Sequence, residues 1–202
     1  MFRTFALLAG ATLALSATGA QARDFWNSAG LIEGRSVAAP SAQDLTIGRE
    51  YPRTTRVVVE DPTEARPGTI TIDTRNRYLY LSLSDGRALR YDVGVGREGF
   101  EWAGVARIGR KAEWPSWTPP AAMLKRRPDL PRHMEGGPDN PLGARAMYLY
   151  SGKRDTLFRI HGSNEPWTIG EAVSSGCIRM LNDDVTDLYN RVKIGSTVVV
   201  LN

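Results

Sequence analysis

The chain has 202 residues, with 26 lysines and arginines against 22 aspartates and glutamates, a net charge of +4, one cysteine and two histidines. That length suits one domain with a full core. A single cysteine excludes an internal disulfide framework, and with no His-Glu-x-x-His or paired Cys-x-x-Cys string neither a metal nor a cofactor is expected. The charges are interspersed except for Lys125, Arg126, Arg127 and Arg132, so no nucleic-acid groove is indicated.

Residues 1–22 start with Arg3, continue through an apolar run from Phe5 to Leu15 and end in Ala20-Gln21-Ala22. This is the pattern of a cleavable signal peptide. The apolar run falls short of the roughly 20 residues that a spanning helix needs, so no stable membrane anchor is expected, and the mature chain is placed in the periplasm. Residues 23–56 are polar and mixed, and read as an arm or tether. From Val57 onward the pattern changes. Ile70 and Ile72 alternate with threonine, Leu79, Leu81 and Leu83 alternate with tyrosine and serine, and turn residues fall at 74–77 and at Asp85-Gly86; residues 69–96 are therefore predicted to form a β-meander.

Residues 97–142 contain Trp102, Trp114 and Trp117 and seven prolines from Pro115 to Pro141. No helix or strand pattern runs through most of this stretch, which predicts a lid or groove wall; a surface excursion packed on its own tryptophans is the alternative. Strands are predicted at 146–150 and 156–160, the second delivering His161 at its end. Asn182 is read as the cap of a helix with the stripe Val185, Leu188, Tyr189 and Val192 and a stop at Gly195, and 197–201 as a closing strand. The whole reads as one mostly-β domain, 57–202, with one clear helix.

Three strings bear on chemistry. Gly94-Val95-Gly96-Arg97-Glu98-Gly99 matches the dinucleotide-binding pattern, but the residues after it do not open a helix, so its glycines are read as bends in a β-loop. Ser-x-x-K and Lys-Thr-Gly, which a penicillin-binding serine enzyme would want, do not occur. The third string is His161 to Leu181. It brings His161 and the only cysteine, Cys177, within sixteen positions, with Ser174-Ser175-Gly176 before the cysteine. A thiol reacts as thiolate, and an imidazole can take its proton. Gly176 gives an acyl group room to approach, and the N–H groups of Gly176 and Cys177 are candidates for an oxyanion hole. A buried structural cysteine is the bland alternative, but the small polar neighbours and the exported location favour a nucleophile.

His161-Gly162 followed by Ser174-Ser175-Gly176-Cys177-Ile178-Arg179 resembles the signature of the L,D-transpeptidase family, with its YkuD-type catalytic domain. Trp114–Pro120, Gly137–Gly143 and the opening meander extend the resemblance over roughly residues 57–202. It implies an L,D-transpeptidase-type sandwich or barrel-like β domain acting by acyl transfer on peptidoglycan stem peptides. Cys177 would attack the carbonyl of the third-position diamino acid, release D-alanine and hold a thioester for an amine to resolve. The amine of another stem would give a 3-3 cross-link, a lysine of an envelope protein would give a wall-anchored protein, and water would give trimming. His161 would be the base and the Gly162 carbonyl its orienting partner, while Ser174, Ser175, Gly176 and Arg179 would line the donor site, Arg179 binding a carboxylate or bracing the loop. Many members carry histidine where this chain has Ser175, so that histidine's role does not carry over. His133 is read as a solvated lid residue. Two other readings compete. In papain-like wall peptidases the cysteine precedes the histidine, the reverse of the order here, and a non-catalytic wall-binding module would keep the fold without the chemistry.

Overall fold

The computed structural model describes residues 51–100 and 102–202; the expected signal peptide and residues 23–50 of the expected arm lie outside them. The described chain is mostly β. Strands β1 (Val57–Glu60), β2 (Ile70–Asp73), β3 (Tyr78–Ser82) and β4 (Arg87–Asp92) form the meander. Its alternation does what period-2 patterning requires: Ile70 pairs with Leu81 and Ile72 with Leu79 across the β2–β3 ladder, and all four are buried with Leu89 and Tyr91. β5 (Val95–Gly96) then leaves this sheet.

Nine strands make one sheet in the order β1-β4-β3-β2-β11-β6-β7-β8-β10, where β6 is Gly104–Glu113, β7 Arg145–Ser151, β8 Arg154–His161, β10 Ile178–Arg179 and β11 Thr197–Leu201. The last strand joins the halves, pairing parallel with β2 and antiparallel with β6. β6 corrects the expectation that 97–142 is largely free of regular structure. Only Ala106 and Ile108 of this strand are buried. A register shift at Gly109 and the run Arg107, Arg110, Lys111 break the alternation by which a strand is recognised.

Helix α2 (Asn182–Arg191) packs on β7, with Val185 and Leu188 fully buried and Val192 just beyond its end also buried. Two sequence expectations about its ends are overturned. Asn182 is the first helical residue and makes no cap bond; the N-cap position is Leu181. The helix stops at Val192, before Gly195, and Lys111 closes it by donating to the carbonyls of Tyr189 (2.6 Å) and Val192 (2.7 Å), a cation at the negative end of the helix. Residues 51–56 lie against the domain: Thr54 Oγ donates to Asp184, as do Thr55 N–H (2.9 Å) and Oγ (2.8 Å), and Arg56 pairs with Asp187.

Between β6 and β7 the chain makes an excursion containing a short helix not expected from sequence, α1 (Ala121–Arg126). It packs on itself. Trp117 and Met134 exchange two backbone bonds of 2.8 Å, Trp117 and Leu130 are buried, and buried Asn140 donates to the Glu135 carbonyl (2.9 Å) and accepts from Leu142 N–H (2.9 Å). His133 is exposed beside Glu135 at 3.2 Å. No helix among the described residues is long and apolar enough to cross a membrane.

Candidate active site

β8 carries His161 to the end of its ladder, and the chain turns there at Gly162. The Gly162 carbonyl lies 2.6 Å from His161 Nδ1. A carbonyl can only accept, so Nδ1 carries the hydrogen and Nε2 keeps the lone pair. The turn is held by Asn182: its Oδ1 accepts from Ala144 N–H (2.9 Å) and Ser163 N–H (3.3 Å), and its Nδ2 donates to the Ser163 carbonyl (3.0 Å). A Cβ on Gly162 or on Gly143 would collide with that Oδ1, which is why both positions are glycine. The side chain read from sequence as a helix cap thus fixes the carbonyl that orients the imidazole. Replacing Asn182 by alanine removes all three bonds; we expect kcat to fall roughly tenfold with KM little changed, measured by steady-state kinetics, because a loosened base no longer meets the thiol in reacting geometry.

The Cys177 loop is clamped at both ends by the Gly94–Gly99 string. Gly94 exchanges backbone bonds with Arg179 (2.9 and 2.8 Å), and Arg97 N–H donates to the Ser174 carbonyl (3.0 Å). β5 pairs with β9 (Ala172–Ser174). The close approach needs glycine: a Cβ on Gly96 would lie 2.8 Å from the Phe100 carbonyl oxygen and 3.1 Å from the Gly176 Cα. Within the loop, Ser174 Oγ donates to the Cys177 carbonyl (2.6 Å) and accepts from Gly176 N–H (3.1 Å). Gly176 sits at φ +105°, where a Cβ would meet Phe158 and Phe100 at 2.5 and 2.9 Å. Two sequence expectations change. Buried Ser174 shapes the loop from within, and Gly176 N–H is engaged internally by Ser174 Oγ.

β10 runs parallel to β8 with Ile178 opposite Ile160 and Arg179 opposite His161, so the loop delivers Cys177, half-buried, beside the strand that carries the histidine. Ser175 is exposed. Arg179 binds the buried Glu165 carboxylate at 3.1 Å and approaches Thr168 Oγ1 at 3.3 Å. Its guanidinium ties Glu165 and Thr168 to β10. Neither Glu165 nor Asn182 stood out as a site residue in the sequence, since a lone carboxylate or amide carries no spacing signal of its own.

Burial, and then the Arg179 charge, pull His161 from the usual 6.5 down to about 3, against the opposing Gly162 hydrogen bond. Burial pushes the Cys177 thiol up, while the Arg159 backbone N–H and the charges of Arg159 and Arg179 hold it back. Both shifts favour the uncharged forms, a neutral imidazole and a neutral thiol. An imidazole of ordinary pKa loses about tenfold of its base form between pH 7.5 and 5.5; here the acylation rate is expected to stay flat across that range, as stopped-flow or mass-resolved single turnovers would read. For stability, the unfolded chain takes a proton on this histidine near 6.5 and the folded chain only near 3, so acidification through that window favours unfolding.

Residues 67–200 match the family model of the L,D-transpeptidase catalytic domain, YkuD. The chain is 34% identical over 149 residues to the probable L,D-transpeptidase ErfK/SrfK of Escherichia coli K12, covering 70% of this chain and 46% of that protein. It spans a little under half the length of such curated relatives. Among solved structures it is similar to one from Brucella melitensis named a probable carnitine operon oxidoreductase (49% identity, TM-score 0.51, 74% of this chain and 95% of that one). An L,D-transpeptidase from Mycobacterium smegmatis (17% identity, TM-score 0.50, 66% and 58%) shares the fold.

Proposed function

The chain belongs to the L,D-transpeptidase catalytic-domain family, and from that premise we propose that it is a periplasmic cysteine acyltransferase acting on peptidoglycan stem peptides. The observation that carries the proposal is the Gly162 carbonyl on His161 Nδ1, which leaves a neutral base beside the loop that bears Cys177. His161 Nε2 takes the thiol proton as Sγ attacks the carbonyl of the donor's diamino acid. The developing oxyanion is received by the Cys177 N–H. When the tetrahedral intermediate collapses, the C–N bond to D-alanine breaks and the imidazolium returns the proton to the departing amine, leaving a thioester on Cys177 and a neutral His161. An acceptor amine then attacks the thioester and gives its proton to His161; the C–S bond breaks, and the imidazolium returns that proton to the departing sulfur, restoring the Cys177 thiol and neutral His161.

The oxidoreductase name attached to the Brucella structure finds no counterpart in the Gly94–Gly99 string. In this fold that string clamps the nucleophile loop and leads into strand β6, not into the helix that a dinucleotide-binding turn requires. The test of the proposal is to incubate the protein with purified stem tetrapeptide and to follow free D-alanine together with the intact mass. A thioester adduct with one D-alanine released per adduct is expected, and absence of both would refute acyl transfer. Muropeptides and wall-bound proteins from cells with and without the gene then identify the acceptor: loss of 3-3 cross-links for a stem amine, loss of attached protein for a lysine, longer stems for water. A wall-binding module would leave all three unchanged.

A further inference from the structure

Beside Cys177 the sheet carries three side chains that take no part in the proton transfers of this mechanism. Arg110 on β6 is the register partner of Tyr148 on β7, and Tyr148 that of Arg159 on β8. Extending the β8–β10 register by one residue sets Cys177 beside Arg159. The row therefore reads Cys177, Arg159, Tyr148, Arg110 across adjacent strands. The guanidinium carbons of Arg159 and Arg110 lie 4.4 and 3.7 Å from the centroid of the Tyr148 ring, which is buried. Asp155 holds Arg159 through both terminal nitrogens (2.7 and 2.9 Å), and Arg110, which is exposed, adds its charge to the same side of the cluster, helping to hold the Asp155 carboxyl below its usual range. Two cations and one carboxylate leave the cluster net positive, with its exposed end on Arg110.

We infer that Arg110 and Arg159, stacked on Tyr148, form an anion-binding row that holds a free carboxylate of the acyl donor some distance from the bond being broken. Stacking fixes the guanidinium planes before a ligand arrives, so little side-chain freedom is lost when a carboxylate docks on them. At roughly 4.8 Å per strand the Tyr148 position is about 10 Å from the nucleophile, and at roughly 3.3 Å per extended residue a carboxylate within the donor's first three positions reaches it. The inference rests on the acyl-transfer reading and adds to it a donor specificity: peptides with that carboxylate free are preferred over their amides.

The test compares acyl-enzyme formation from stem tetrapeptide in free-acid form with that from the same peptide carrying its other carboxylates as amides. Wild type is expected to favour the free acid by about fivefold in kcat/KM, the discrimination of one partly exposed ion pair. Arg110→Ala should abolish that preference by raising KM for the free acid, and Arg107→Ala, which removes an exposed charge from the same strand, should keep it. Equal rates for the two donors in wild type, a penalty from Arg110→Ala on both donors alike, or the same loss from Arg107→Ala would overturn the inference while leaving acyl transfer in place. No adduct from either donor would remove the acyl-transfer reading and the inference with it.

Discussion

Cys177→Ala is expected to form no adduct by intact mass and to lose at least about 10³-fold in turnover, because in the proposed mechanism the two half-reactions share one covalent intermediate on Cys177. Cys177→Ser should be nearly as inactive. The His161 imidazole, held far below its usual basicity by burial and by the Arg179 charge, is a weak base, adequate for a thiol but poorly matched to a far less acidic alcohol. A serine variant with more than a small fraction of wild-type turnover would mean that His161 is more basic than its burial dictates. Both variants should fold, since the loop is held by Ser174, Gly94 and Arg97 through backbone atoms that the substitutions leave alone.

Glu165→Ala should cost about 3–5 kcal/mol of stability, the penalty of leaving a buried cation without its carboxylate. Arg179 and Glu165 are 12% and 8% exposed. Burial pushes the Glu165 carboxyl above its usual range, and Arg179 only partly offsets that. The pair is therefore a poor source of net stability and a strict one for geometry: it ties the 3-10 turn Pro166–Thr168 to β10 and so holds the far side of the nucleophile loop. Two consequences separate this account from a simple stabilising salt bridge. Glu165→Leu combined with Arg179→Met should recover most of the melting temperature lost by Glu165→Ala, and yet should not recover acylation, because an apolar pair packs without fixing the loop's direction. Recovery of both would show that the pair is dispensable to the site.

The sequence was readable wherever one local rule governs. The meander is visible because Ile70, Ile72, Leu79 and Leu81 obey period two on a half-buried surface. The helix stripe is visible because Val185, Leu188 and Val192 recur at helical spacing. Cys177 and His161 stand out because the only cysteine follows a small polar run and the histidine ends an apolar strand. Strand β6 was hidden because Arg107, Arg110 and Lys111 have jobs elsewhere: on the sheet's face, in the Tyr148 stack and at the end of α2. The helix ends were misjudged for a related reason. Asn182 and Gly195 carry the residue types of caps, but one amide is drawn to the His161 turn and the helix's last carbonyls are met by a lysine from another strand.

What the sequence by itself determined is the mostly-β class, the family, and the residues on which a covalent mechanism would turn; each depends on patterns that are local in the chain. The tertiary structure decided what those residues have around them. It gave Gly162 and Gly143 a shared neighbour in Asn182, turned a string that mimics a dinucleotide turn into a clamp on the Cys177 loop, committed Arg179 to Glu165, and lined Arg110, Tyr148 and Arg159 into one row. Each of these depends on strands far apart in the chain meeting at a definite register. Hydrogen bonding and burial act over a few ångströms, and only the assembled sheet brings those partners within that range.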